Sequence, residues 1–253
     1  MSKDKKLEYV KGVKGEIDNR PKRFYSDVKV TGQDDHWAVH LDGKPLRTPE
    51  KRQLVLPTKE LAEVIAEEWR GQGERIDLQS MFNTRLVNVA LDRTPKTRGE
   101  LGREAARYAN TDLVCHLADG PTALRVRQEA AWAPLRDWAE KEMGVRLSTV
   151  EGVIAIAQPE ASVEAVRIHA SGLDDFRLTA LVHAVALLGS AVLGLAVERR
   201  RITAVEAFDI SRIDEIFQAE QWGEDAEAVK RTERNRAEAH ALDLWLDALG
   251  PTI

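Results

Sequence analysis

Cysteine is almost absent from this chain of 253 residues, in which Cys115 is the only one. One cysteine cannot form an intrachain disulfide or a zinc site built from cysteines, and it fits a reducing compartment. The sequence also lacks a Walker A loop, a G-x-G-x-x-G turn after a strand, a G-x-S-x-G elbow and an H-E-x-x-H pair. Because these motifs mark common nucleotide-binding and hydrolytic sites, their absence favours an interaction protein over an enzyme, and we expect no cofactor and no metal site.

Uncharged stretches are short, with one exception at residues 178–197, which approaches the length of a membrane span. This stretch contains the polar His183, and Gly189-Ser190 lies near its middle, where a helix can break or bend. No second apolar stretch and no signal sequence accompanies it. We therefore expect no membrane insertion and interpret the stretch as a buried core helix or a tight helical pair.

The chain carries a net charge of −5, although its first residues are basic. A negative chain is a poor general nucleic-acid binder, so we expect no nucleic-acid partner. The basic N-terminus and Arg199–Arg201 leave an RNA-associated protein as one alternative. The simpler interpretation of residues 1–22 is a solvated, poorly ordered tail. The whole chain is 43% hydrophobic, which is enough apolar surface for a packed core.

Strand patterns occur early in the chain and helical patterns follow. Residues 24–57 contain three short β-type runs, and Asp42-Gly43 after the second is a strong hairpin signal. From Thr58 onward, apolar residues recur at helical spacing. This segregation predicts an α+β fold, with a small antiparallel β-rich part before a larger helical domain. We divide the chain into the tail (1–22), a β-rich part with flanking helices (23–92) and a C-terminal helical domain (93–253).

Two groups of residues could carry chemistry. His36 and His40 lie four residues apart in a predicted strand, about 13 Å from each other, which is too far for one metal ion. The segment "YANTDLVCH", from Tyr108 to His116, collects five polar side chain types on little more than two helical turns. It leaves an uncharacterised enzyme or a ligand-binding protein as the alternative function, and a structural polar network is the simpler interpretation.

The segment "RIDEIFQAEQWGEDAEA" (212–228) is both acidic and apolar. After Arg212 it contains six carboxylates and no Lys or Arg. On one continuous helix over 205–222, apolar side chains cover more than half of the circumference. Glu215 then lies between a polar strip and Phe208. This pattern predicts a partner-binding surface, with an ordinary solvated helix as the alternative. The candidate partner-binding residues are Glu215, Asp214, Gln218, Trp222 and Phe208.

Seven motifs in this order resemble one protein family. They are "RFYSDVKV", "WAVHLDGKPLRTP", "LVLPTKELAEVIAEEW", "MFNTRLVNVALDR", "YANTDLVCH", "WAPLRDWAEKEMG" and "SRIDEIFQAEQWGEDAEA". Together they resemble the assembly chaperones of mitochondria and alphaproteobacteria that act on the α subunit of the F-type ATP synthase catalytic head. The likeness covers about residues 23–247. It resides in the order of the motifs, because none of them alone marks a chemistry.

The resemblance implies a non-enzymatic chaperone with a β-rich N-terminal part and a helical C-terminal domain. Its expected partner is the free α subunit, which it holds until the β subunit replaces it, and a monomer is the natural free form. The family's acidic position corresponds to Glu215, with Asp214 as the nearest alternative, and Trp69 corresponds to a tryptophan required for a stable fold. The tail makes a poor transit peptide, which favours a bacterial cytoplasm over a mitochondrial matrix.

Overall fold

The computed structural model describes residues 18–33, 36–152, 154–223 and 225–251. Most of the predicted tail, 1–17, lies outside these ranges, and the division into three parts stays a prediction. The first unit of the described chain is an antiparallel sheet of four strands: β1 (Val28–Gln33), β2 (His36–Leu41), β3 (Lys44–Pro45) and β4 (Val55–Leu56). The central strand β2 pairs with each of the other three.

The predicted hairpin at Asp42-Gly43 is present, and both residues have positive φ angles of 46° and 77°. Such angles suit Asp and Gly in a tight turn between antiparallel strands. The Asp42 carboxylate also accepts hydrogen bonds from the backbone N–H groups of Ser26 and Asp27. The turn therefore closes the β2–β3 hairpin and anchors the segment that leads into β1.

Helix α1 (Lys59–Arg70) packs its apolar face against this sheet. Thr58 caps it by accepting a hydrogen bond from the N–H of Leu61, as its position after Pro57 predicts. Trp69 is 8% exposed and contacts the Tyr25 ring edge-on, and the Tyr25 hydroxyl donates to the Trp69 carbonyl. Trp69 is therefore the last buried anchor of α1, and it joins the helix to the segment before β1.

The rest of the chain is mainly helical, which confirms the predicted α+β class. The helices that follow are α2 (Phe82–Asp92), α3 (Thr94–Tyr108), α4 (Thr122–Met143), α5 (Glu160–Gly172), α6 (Asp175–Leu188), α7 (Ala191–Glu198), α8 (Ala204–Ser211), α9 (Ile213–Trp222) and α10 (Ala226–Leu249). Two short parallel strands, β5 (His116–Leu117) and β6 (Val150–Glu151), pair with each other beside α4. Buried apolar side chains form one continuous core from Tyr25 to Ala248.

The uncharged stretch 178–197 forms the helical pair α6 and α7 in the middle of this core. Gly189 adopts a left-handed φ of 66° and ends α6, and Ser190 caps α7 by accepting from the N–H of Leu193. A side chain at Gly194 would collide with Val185, so the two helices approach closely. Within the described ranges, no helix has the length and apolar content needed to cross a membrane.

Candidate partner-binding surface

The acidic segment does not form one helix with the residues before it, so the predicted continuous helix over 205–222 is wrong. Helix α8 ends at Ser211, and Arg212 has φ −107° and ψ 18°, which interrupts the helical path before α9 begins. The side chain of Ser211 donates to the carbonyl of Phe208 at this end. A helical wheel that runs across Arg212 therefore misplaces the side chains of α9 relative to those of α8.

Phe208 is the residue whose predicted position differs most from the structure. It is 2% exposed and belongs to the hydrophobic core. Helix α8 is held there because the indole Nε1 of Trp132 donates to the Ile210 carbonyl at 2.9 Å. Because Phe208 packs in the core and lies outside the lining of the groove beside α9, the prediction that it binds a partner needs correction.

One face of α9 is fixed on α4. Gln128 donates from Nε2 to the Asp214 carboxylate at 2.7 Å, and Arg127 pairs with Glu220 at 2.8 Å. The Arg127 guanidinium also lies 5.2 Å from the centre of the buried Phe217 ring. Asp214 is therefore half-buried and engaged inside the fold. Its contact with Gln128 gives it a positioning role, whereas its predicted contact with a partner stays a prediction.

The opposite face of α9 is open. Glu215 is exposed and has a loose ion pair with Arg212 at 3.6 Å, and Gln218 is exposed as well. The Trp222 ring is 80% exposed and Ile216 is 45% exposed. An exposed tryptophan beside an exposed isoleucine is unusual on a surface that only meets water, and such patches mark interaction sites.

These open side chains line a groove of about 600 Å³ between α9 and the first turns of α10. Asp225 caps α10 by accepting from the N–H of Ala228 at 2.9 Å, and this fixes the second wall of the groove. Of the predicted residues, the structure brings together Glu215, Gln218 and Trp222 here, whereas Asp214 and Phe208 lie outside the lining. The lining residues that the sequence did not predict include Ile216 on α9 and four on α10, namely Ala228, Val229, Arg231 and Thr232.

The contribution of α10 to the groove could not be predicted from its own sequence. A groove needs two walls, and nothing in the local pattern of residues 226–233 indicates that they face α9. Ile216 was visible as an apolar residue, but on the wheel of one continuous helix it was one of many apolar positions that covered more than half of the circumference. Sequence reasoning therefore found one wall of the groove and missed the other.

The charges around the groove are mixed. Glu215, Glu220, Asp225 and Glu233 line it together with Arg212 and Arg231. Glu220 forms an ion pair with Arg127 of α4, which is distant in the sequence. The excess of negative charge around this segment is therefore smaller in the fold than the sequence suggests. The groove thus offers an apolar patch with carboxylates at its edge, which can accept hydrogen bonds from Lys or Arg side chains of a partner.

The polar cluster from Tyr108 to His116 is organised for structure. Asp112 is fully buried, and its two carboxylate oxygens accept from the N–H groups of Val114 and Val192, at the start of α7. Burial raises the pKa of Asp112 to about 6 and that of the buried Cys115 thiol to about 12. His116 Nδ1 lies 3.3 Å from the Gly152 carbonyl. These contacts with the main chain support the structural interpretation of the cluster.

Within the described part of the chain, no group of three or more His, Cys, Asp or Glu side chains is arranged to hold a metal ion.

Comparison with known proteins identifies relatives. The family model of the ATP12 chaperone protein matches residues 22–140. The mitochondrial protein atp12 of Schizosaccharomyces pombe is 25% identical over 238 residues, covering 87% of this chain and 81% of that protein. The crystal structure of Atp12 from Paracoccus denitrificans is 42% identical, with a TM-score of 0.81, and covers 89% of this chain and 97% of that one.

A third relative is a protein from Agrobacterium tumefaciens, whose crystal structure was described as that of a candidate chaperone. It is 37% identical, has a TM-score of 0.85, and covers 90% of this chain and 86% of that one. The groove between α9 and α10 lies after residue 140 and therefore outside the stretch matched by the family model.

Proposed function

Because the chain belongs to the ATP12 chaperone family, we propose that it assists assembly of the F-type ATP synthase by binding the free α subunit of the catalytic head. The chaperone holds that subunit until the β subunit replaces it. The observation that carries this proposal is the groove between α9 and α10, where the exposed Trp222 and Ile216 lie next to the Glu215 carboxylate.

A subunit that belongs in a permanent assembly exposes apolar surface while it is alone, because obligate interfaces are large and hydrophobic. A chaperone for such a subunit needs an apolar contact that can be released again. The groove has one large aromatic anchor and a polar edge, which suits a modest interface that a second subunit can displace.

Each residue of the groove has a distinct expected contact. Trp222 and Ile216 supply apolar surface, and Glu215 pairs with a Lys or Arg of the α subunit. Gln218 provides a hydrogen bond at the polar edge. Asp214 acts indirectly, because its hydrogen bond with Gln128 fixes the orientation of α9.

We infer no catalytic activity and no cofactor for this chain. The buried Asp112 accepts its hydrogen bonds from main-chain N–H groups, and burial raises the pKa of the Cys115 thiol and keeps it in its unreactive form. We also infer a monomer in the free state, since a shield for one subunit needs no second copy. The two bacterial relatives are more similar than the mitochondrial one, which favours a bacterial cytoplasm as the compartment.

The test is co-expression of the isolated α subunit with and without this chain, followed by measurement of soluble α subunit and by size-exclusion chromatography. We expect more soluble α subunit, co-elution of the two chains, and displacement of the chaperone when the β subunit is added. Equal aggregation of the α subunit with and without the chain would contradict the proposed partner.

A further inference from the structure

A second groove lies between α1 and the C-terminal half of α10, away from the acidic segment. It has a volume of about 380 Å³. Thr58 donates from its hydroxyl to the carbonyl of Ala248 and ties the start of α1 to the end of α10, so the two helices run antiparallel. The groove therefore extends from Glu60 and Leu244 at one end to Glu68 and Ala237 at the other.

The α1 wall of this groove is acidic. Its lining contains the carboxylates of Glu60, Glu63, Glu67 and Glu68, and no Lys or Arg among the described residues. Arg70 sits outside the lining and forms ion pairs with Glu63 at 3.1 Å and Glu67 at 2.6 Å. Arg85 of α2 also interacts electrostatically with Glu68 and pairs with Glu238 at 3.8 Å. Two guanidinium groups against the four carboxylates of the lining leave the groove negative, which favours a bound cation.

The α10 wall is apolar and is formed mainly by small side chains. Ala237, Ala241 and Leu244 recur at intervals of four and three residues, so they lie along one face of the helix. Leu244 is 42% exposed, and Val64 of α1 adds to the floor. Small side chains such as alanine let a packed helix approach closely, because the interaxial distance depends on the residues at the contact.

One end of the groove has an unused hydrogen-bond acceptor. Asn83 is only 2% exposed, it lines the groove, and its side-chain oxygen has no hydrogen-bond partner among the described residues. A buried acceptor without a donor is costly, and natural proteins rarely leave one unpaired. An N–H group of a ligand at this end would supply the missing donor.

Glu68 is next to that acceptor. Its carboxylate accepts from the N–H groups of Asn83 and Thr84 at 2.7 Å, where it caps α2 from a neighbouring helix. Burial nevertheless raises the pKa of Glu68 above its ordinary value of 4.5. A cation placed here would offset the cost of desolvating this carboxylate.

We propose that the groove between α1 and α10 is a docking site for a basic amphipathic helix of a partner protein. The carboxylates of Glu60, Glu63 and Glu67 recur about once per turn, roughly every 5.4 Å, and match Lys or Arg side chains at the same spacing on a second helix. An apolar side chain of that helix packs over Val64, Ala241 and Leu244. One of its cations reaches Glu68 and Asn83.

This site is separate from the groove between α9 and α10, and it does not depend on the function proposed for that groove. The lining of the α9–α10 groove holds Arg212 and Arg231 beside its four carboxylates, so it is less negative than the described lining of the α1–α10 groove, which contains no Lys or Arg. Charge complementarity therefore directs such a helix to the α1–α10 groove.

The experiment measures binding of a fluorescein-labelled synthetic helix to the full-length protein by fluorescence anisotropy. The probe is an alanine-rich peptide of about 16 residues with Lys at successive spacings of three and four and with leucines beside them. A second peptide carries Glu at the Lys positions. We expect the Lys peptide to bind, with an affinity that falls as salt is raised, and the Glu peptide not to bind.

Variants locate the peptide on the protein. Glu60→Lys should weaken binding about tenfold and Glu60→Gln about threefold, whereas Glu100→Lys, the same charge change at an exposed position of α3, should change it less than about twofold. Leu244→Ala should weaken binding about threefold, with Val126→Ala on α4 as the control for an exposed apolar residue. Thermal unfolding followed by circular dichroism shows whether each variant is folded.

Several outcomes would overturn the proposal. Failure of the Lys peptide to bind, or equal weakening by Glu60→Lys and Glu100→Lys, would show that no specific site exists. Weakening by Glu215→Lys as large as that by Glu60→Lys would place the peptide in the α9–α10 groove. The basic N-terminal tail, which contains the apolar Leu7 and Val10, is the rival occupant. Tighter peptide binding after the charge-neutral double change Leu7→Ser and Val10→Ser would show that the tail competes for the groove, and this would contradict a partner protein as the occupant.

Discussion

The two grooves that flank α10 differ in the kind of contact they offer. The α9–α10 groove has a large exposed aromatic ring, Trp222, and a lining that mixes carboxylates with Arg212 and Arg231. The α1–α10 groove has a low apolar floor and carboxylates without a Lys or Arg in its described lining. The first suits an apolar anchor from a partner with charges of both signs, and the second suits a cationic helix.

The difference arises from how each acidic helix is held in the fold. The acids of α9 acquire cations from other elements, since Arg127 of α4 pairs with Glu220 and Arg231 of α10 lies across the groove. On α1, Glu63 and Glu67 pair with Arg70 at the end of their own helix, and Glu68 interacts with Arg85 of α2. Similar acidic sequences therefore produce one mixed surface and one negative surface.

The largest effect should come from comparing two tryptophans, the buried Trp69 of α1 and the exposed Trp222 of α9. Trp69→Ala should lower the free energy of unfolding by about 3–5 kcal/mol, because it leaves a cavity between α1 and Tyr25. Trp222→Ala should lower it by less than about 0.5 kcal/mol, since its ring is already in water. Urea unfolding measures both values, and similar costs for the two variants would contradict the assigned burial.

The same Trp222→Ala variant should have a large effect on binding. If the ring is the apolar anchor of the α9–α10 groove, its loss should weaken binding of the α subunit by about thirtyfold, as expected for an interface hot spot. Calorimetric titration or co-elution with the α subunit provides the measurement. The control is Val126→Ala, which removes another exposed apolar side chain and should leave the affinity unchanged.

Reversing one charge in each groove should have the next largest effect on α-subunit binding and should distinguish the two grooves. Glu215→Lys should weaken α-subunit binding about tenfold without altering the melting temperature, because Glu215 is exposed and its pair with Arg212 is loose. Glu60→Lys should change the same affinity less than about twofold. Equal losses for the two variants would mean that only net charge matters, and normal binding by a folded Glu215→Lys variant would remove Glu215 from the site.

The smallest effect concerns the buried carboxyl of the α1–α10 groove. Burial raises the pKa of Glu68 in the folded state, so the folded protein holds this proton more tightly than the unfolded chain does. The contribution of Glu68 to stability is then complete below about 4.5 and decreases as the pH rises through the folded-state pKa. The cost of Glu68→Gln should therefore be smaller at pH 7 than at pH 4.

Urea unfolding of the wild type and the Glu68→Gln variant at both pH values tests this sign. A cost that increases with pH would mean that the hydrogen bonds from Asn83 and Thr84 outweigh the desolvation of the carboxylate. Saturation with the Lys peptide should itself reverse the trend in the wild type, because a bound cation favours the ionised form.

Local signals in the sequence predicted much of the fold. The Asp42-Gly43 turn, the Thr58 cap and the break at Gly189-Ser190 each depend on a few neighbouring residues, and all three are present. The break at Arg212 was missed because neither Gly nor Pro marks it. At this point Phe208 packs in the core and α9 is attached to α4 through Gln128 and Asp214, and both contacts involve distant residues.

Local sequence patterns were enough to predict the α+β class, the separation of strands from helices, and the acidic, apolar character of residues 212–228. Turn chemistry, capping and hydrophobic period are properties of a few adjacent residues, so they can be read without the fold. Which carboxylates form contacts inside the fold and which face solvent depends instead on how the helices pack. This outcome depends on contacts between distant residues: Arg127 and Glu220 are 93 residues apart, and Thr58 and Ala248 are 190 residues apart. A local sequence pattern does not indicate which distant helix will supply an ion-pair partner or the second wall of a groove.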